Sequence, residues 1–167
     1  MSVVESSVES PSVPNRDELL AELKIEISRN EANNQRHLTQ TLDKCTIYAQ
    51  AHKLKSLEIL IHQELNGYGR QVPAYRNTNL IYFDHGGQQI EGLEQYRRYP
   101  IVTGVSKLEL HLKNGLTLIL PKQILDFLSQ QVGKEVATAH VSWQEIQQLL
   151  NVVRQEVIAY VKQMPTD

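Results

Sequence analysis

The chain has 167 residues, 41% of them hydrophobic and 22% charged, with a formal net charge of −2. That profile predicts a soluble globular protein of one domain and excludes a large multidomain enzyme. Near-neutral charge leaves no nucleic-acid footprint, and the single cysteine, Cys45, excludes a multi-cysteine zinc ribbon.

Residues 1–14 are rich in Ser and Glu, contain Pro11 and Pro14, and lack periodicity, so they are expected to form a disordered arm. No secretory signal is expected, because MSVVESSVES has glutamates where basic residues would stand and no apolar run follows. No stretch reaches the roughly 18 apolar residues of a membrane span, so the cytoplasm is the expected compartment, with no membrane partner.

The folded unit is expected over residues 15–164, leaving 165–167 as a tail. Asn15 or Asp17 can cap a first helix bearing Leu19, Leu20, Leu23 and Ile27, and Asn30, Asn33 and Asn34 interrupt the pattern. A second helix is predicted over 35–51, with Leu38, Leu42, Cys45, Ala49 and His52 on one stripe. A third covers 56–65, turns Leu57, Leu60, Ile61 and Leu65 inward, and stops at Asn66-Gly67, where Gly67 supplies a left-handed cap.

The period then changes from helical to alternating. Residues 78–83 read as a strand. Leu108, Leu110 and Leu112 alternate with polar residues, and Leu116, Leu118 and Leu120 alternate again beyond Asn114-Gly115, which predicts a β-hairpin at that dipeptide. Pro121 opens a fourth helix through Gln131, and 136–141 is a short strand. Ser142-Trp143-Gln144-Glu145 is a capping box for a long last helix, whose seam is Trp143, Ile146, Leu150, Val153, Val157, Tyr160 and Met164. The fold is therefore read as α+β: a three-helix N-terminal group, a small mainly antiparallel sheet and a long C-terminal helix.

Chemistry is sparse. The six histidines, His37, His52, His62, His85, His111 and His140, form no metal-binding spacing, and no metal or cofactor is predicted. Cys45 sits on an apolar stripe, where a thiol is inert. His85-Gly86-Gly87 is like a fragment of an oxyanion loop, but no GxSxG elbow accompanies it, so it reads as a turn.

The most distinctive segment is Glu64-Leu65-Asn66-Gly67-Tyr68 followed by Pro73-Ala74-Tyr75-Arg76. Two readings are open for it. In one, Tyr68 folds back over the helix end and Glu64 forms a bidentate ion pair with Arg76 that holds the turn against the sheet. In the other, Glu64, Tyr68 and Arg76 rim a pocket for an anion or nucleotide, the site of a nuclease or nucleotide hydrolase. Arg97-Arg98 between Tyr96 and Tyr99 has the composition of a small nucleic-acid platform, or of a solvated turn.

Residues 38–45, the helix 56–65, the ELNGY block at 64–68 and the PxYR block at 73–76 resemble the AbiTii domain, associated with abortive-infection defence of bacteria against phage. Residues 108–120 and 142–164 are similar to its later part, so the resemblance covers about 16–163. It implies a defence role and makes Glu64, Asn66, Gly67, Tyr68, Tyr75 and Arg76 the motif residues, without assigning any of them a catalytic task. With no catalytic constellation elsewhere, the leading expectation is a non-enzymatic interaction or sensing module, working as a homo-oligomer or with another defence protein. The alternatives are a toxic effector enzyme and a nucleic-acid-binding module using Arg97 and Arg98.

Overall fold

The structure, a computed structural model, describes residues 12–29 and 36–165. The arm expected over 1–14 falls mostly outside the described residues, as do the break at Asn30, Asn33 and Asn34 and the last two positions of the tail.

Helix α1, Arg16–Leu23, starts at a full capping box. The Asn15 side chain accepts from the Glu18 amide at 2.8 Å, and the Glu18 carboxylate accepts from the Asn15 amide at 3.2 Å. It ends before Ile27, which is nevertheless buried. The Asn151 side chain pins that loop, accepting from the Ile27 amide at 2.9 Å and donating to its carbonyl at 3.2 Å. Helix α2 is His37–Ala51 and α3 is Lys55–Asn66; they pack on each other, and α1 lies against α2. Leu38, Leu42, Cys45 and Ala49 form the buried stripe of α2, and burial pushes the Cys45 thiol up to about 12.

After a 3-10 turn at Ala74–Arg76, the single strand expected over 78–83 is two. Strand β1, Asn77–Asn79, and β2, Ile81–Phe83, are separated at buried Leu80, where the chain passes from one sheet to another. β1 pairs antiparallel with β4, Arg98–Pro100, and β2 with β3, Gln89–Ile90. The second sheet is completed by β5, Leu116–Leu118, and β6, Thr138–Val141, in the order β3-β2-β6-β5, all antiparallel.

The hairpin expected at Asn114-Gly115 does not form. Residues 105–111 are helical: α4, Val105–Leu108, runs into a 3-10 turn at Glu109–His111. The alternating leucines concealed a second pattern, since Val105, Leu108 and Leu112 also recur at three and four residues. Leu108 is buried while Leu110 is exposed, so the helical period decides. Asn114-Gly115 instead closes this helical segment, with the Gly115 amide donating to the His111 carbonyl at 2.8 Å and Gly115 at φ +78. The partner of β5 is β6, beyond α5, Lys122–Val132, which begins after Pro121 as expected.

The last helix, α6, Trp143–Gln163, starts at Ser142, whose hydroxyl accepts from the Glu145 amide at 3.2 Å. Only half of the expected box is made, because the Glu145 carboxylate turns to the Asn79 amide at 3.1 Å and ties α6 to β1. Ile146, Leu150, Val153 and Val157 are buried against α1, α3, α4 and β1, so the long seam is covered by its own chain. Arg154, beside that seam, is buried as well. Its Nη1 donates to the Leu23 carbonyl at 2.7 Å, occupying an orphan acceptor at the end of α1.

Candidate functional site

The motif residues converge where α3 ends. Gly67 has φ +111 and ψ 162, so it is not the left-handed cap expected but an extended conformation in a region essentially restricted to glycine. A Cβ on it would stand 2.8 Å from the Val102 carbonyl oxygen. That same oxygen accepts from the Tyr68 amide at 2.9 Å, so the chain crosses directly over residues 102–104. Gly104 makes the crossing possible: a Cβ there would lie 2.2 Å from the Leu65 carbonyl oxygen. The Ser106 hydroxyl donates to that carbonyl at 2.8 Å.

Beneath the crossing lie Glu64 and Arg76, both 0% exposed. Arg76 Nε donates to Glu64 Oε2 at 3.1 Å, one bond rather than the bidentate pair expected. Its Nη1 donates instead to the main-chain oxygens of Ile101 at 2.7 Å and Thr103 at 2.8 Å. The other carboxylate oxygen, Oε1, accepts from the Tyr68 hydroxyl at 2.6 Å and from the Tyr75 hydroxyl. Arg76 Nη2 has no hydrogen-bond partner among the described residues, and the guanidinium carbon stands 5.0 Å from the Tyr68 ring centroid, within cation–π range.

A buried ion pair is tolerated only when its remaining donors and acceptors are used, and here both carboxylate oxygens and two of three guanidinium nitrogens are. Burial, followed by the bonds to Glu64, pushes the Tyr68 hydroxyl up to about 12 and raises that of Tyr75 further. Both phenols therefore stay protonated and donate. The arrangement clamps the end of α3, the 3-10 turn and the 101–104 segment together, and it offers solvent neither a free carboxylate nor a free guanidinium.

Asn66 stands apart from the cluster. Its amide donates to the His62 carbonyl at 3.1 Å, and the residue borders an open groove of about 620 Å³ between α2 and α3, with Arg36, Thr39, Lys55, Glu58 and His62. Arg97 and Arg98 are not joined with the motif. Arg97 Nε donates to the Leu80 carbonyl at 3.0 Å, Arg98 lies in β4 opposite Asn79, and Tyr96 packs edge-on to Phe127 with centroids 5.3 Å apart. Among the described residues, no group of three or more His, Cys, Asp or Glu side chains can hold a metal ion. None of the described helices is long and apolar enough to cross a membrane.

Several residues that build this region were not singled out from sequence. Gly104, Ser106 and the carbonyls of Ile101 and Thr103 act through the main chain or a small side chain and leave no pattern. Glu109 accepts from the Thr39 amide at 2.5 Å and hydroxyl at 2.6 Å, capping α2 where Arg36 supplies no side-chain cap; burial raises its carboxyl. Arg154 did carry a signal, an arginine next to Val153 and one turn after Leu150 on an apolar face.

No curated protein and no solved structure matches the chain. A family model, AbiTii, matches residues 22–167, which contain the whole cluster from Glu64 to Arg76 and the helix α6. The chain therefore belongs to the AbiTii family, and with it to the setting of abortive-infection defence against phage.

Proposed function

We propose that the chain serves abortive-infection defence as a non-catalytic interaction module, acting by self-association or by binding another protein of the defence response. The burial of Glu64 and Arg76, each 0% exposed, carries this reading. A general acid, base or phosphate anchor has to meet its substrate. These two meet each other, two tyrosine hydroxyls and two main-chain carbonyls.

Surface apolar groups give the reading its second support. Leu110, Ile119, Ile124 and Phe127 are exposed, while the α6 seam is already occupied. Association therefore falls to exposed side chains such as these, and Ile59 of α3, rather than to the α6 seam.

The test is a phage challenge of cells producing Tyr68→Phe, with the folded fraction followed by thermal unfolding. Tyr68 is, with Tyr75, one of the two partly buried members of the cluster, and the variant removes its hydroxyl while keeping the ring over Arg76. An interaction module keeps protection within about threefold of the parent at equal folded protein. Loss of about a hundredfold or more with folding intact, the scale of a lost acid–base group, would make that hydroxyl a reacting group and overturn the proposal.

A further inference from the structure

The four-stranded sheet ends on β5, whose outer edge pairs with no other strand among the described residues. Natural sheet edges are kept short or are blunted by charge, proline or a bulge, because a bare edge is a template for another strand, and of these β5 has its three-residue length. Residues 114–120, NGLTLIL, contain no charge and no proline. The alternation continues past the strand: Leu116, Leu118 and Leu120 pack against the core, and Ile119, on the opposite face, is 98% exposed. Helix α5 follows at once and leaves Ile124 and Phe127 nearly half exposed.

We propose that β5 pairs antiparallel with β5 of a second copy, so that two four-stranded sheets become one continuous sheet. This rests on the interaction-module reading and names its partner. The choice of a second copy comes from register. A two-fold axis at Leu118 sets Leu116 opposite Leu120, Thr117 opposite Ile119, and Leu118 opposite itself.

At its ends this register sets Gly115 opposite Pro121 and stops there, because Lys122 and Gln123 already belong to α5. No like charges meet, and each exposed edge residue gains an apolar or threonine neighbour of the kind that stabilises sheets. Pro121 lacks an N–H and ends the ladder where α5 begins. The five paired residues, 116–120, of which Leu116–Leu118 are strand in the single chain, reach only about 17 Å, a contact at the small end for interfaces, so the dimer forms reversibly with concentration.

Sedimentation velocity of the full chain from about 5 to about 500 µM tests this, a span over which a weak, small interface passes from monomer to dimer. Ile119→Lys sets a cation on each side of the axis; it weakens dimerisation at least about tenfold, equivalent to ~1.4 kcal/mol, with thermal unfolding unmoved. Adding Thr117→Glu to Ile119→Lys places opposite charges across the axis and restores dimerisation to within about threefold, a recovery specific to this register. A parent chain that stays monomeric throughout overturns the pairing. So does an Ile119→Lys variant that dimerises as the parent does, or a double variant that fails to recover. None of these results touches the interaction-module reading, which falls instead on the Tyr68→Phe phage challenge.

Discussion

The dipeptide Asn-Gly ends a helical segment twice in this chain, at 66–67 and at 114–115, and the two sites lead to opposite surroundings. After Asn66-Gly67 the chain turns its charge inward. Glu64 and Arg76 are fully buried, and the half-buried tyrosines Tyr68 and Tyr75 are spent on Glu64. After Asn114-Gly115 it turns apolar groups outward, ending on an open strand edge with Ile119 98% exposed. The conspicuous motif is thus a clamp for the fold, and the plain stretch of leucines is the part that our proposal gives to a partner. A motif rich in charge and aromatics is as well suited to holding a helix end as to chemistry, and burial separates the two.

The largest way to break this contrast is at the crossing itself. Gly104→Ala drives a methyl group into the Leu65 carbonyl, with the main-chain carbonyl carbons of Leu65 and Asn66 only 2.6 and 2.7 Å away. Overpacking typically costs about 1–3 kcal/mol, and a rigid main-chain clash costs more, so the variant loses at least ~3 kcal/mol in urea denaturation. A variant that unfolds like the parent would mean that the helix end and the 101–104 segment are not clamped.

A smaller effect comes from pH. Tyr68 and Tyr75 hold their protons more tightly in the folded chain than the ordinary phenol value near 10. The unfolded chain then releases protons first as pH rises past 10, so the stabilisation is complete below that value and is lost as pH climbs toward about 12. The Tyr68→Phe, Tyr75→Phe pair flattens this alkaline slope in a thermal-unfolding series, whereas Ile119→Lys leaves it unchanged. The smallest effect belongs to the open edge: Ile119→Lys alters stability by no more than about 0.5 kcal/mol, as surface substitutions do, while changing association.

Much of the helical framework was legible. Apolar spacing located α2, α3 and α6, Pro121 marked the start of α5, and the side chains of Asn15 and Ser142 marked where α1 and α6 begin. The stretch 105–112 was not, because Val105, Leu108, Leu110 and Leu112 satisfy both periods in too few residues to choose, and only the identity of the packing partners decides. Asn114-Gly115 misled for a related reason, since the positive φ that suits a hairpin also ends a helix.

At the motif, the contact between Glu64 and Arg76 could be anticipated from a turn between them. Its depth could not. The acceptors for Arg76 Nη1 are carbonyls 25 and 27 residues away, and main-chain groups have no sequence signature. The crossing over Gly104 decides whether the pair is sealed, and it is a property of two segments meeting.

Glu64 and Arg76 stand or fall as one buried unit, and urea denaturation of Glu64→Gln, Arg76→Met and the double variant measures that directly. Each single change strands a buried partner and costs about 3–5 kcal/mol; the double removes both charges and costs less than the sum by at least ~2 kcal/mol. Single variants that unfold at the parent's midpoint, or costs that simply add, would contradict it and return both side chains to the role of a site.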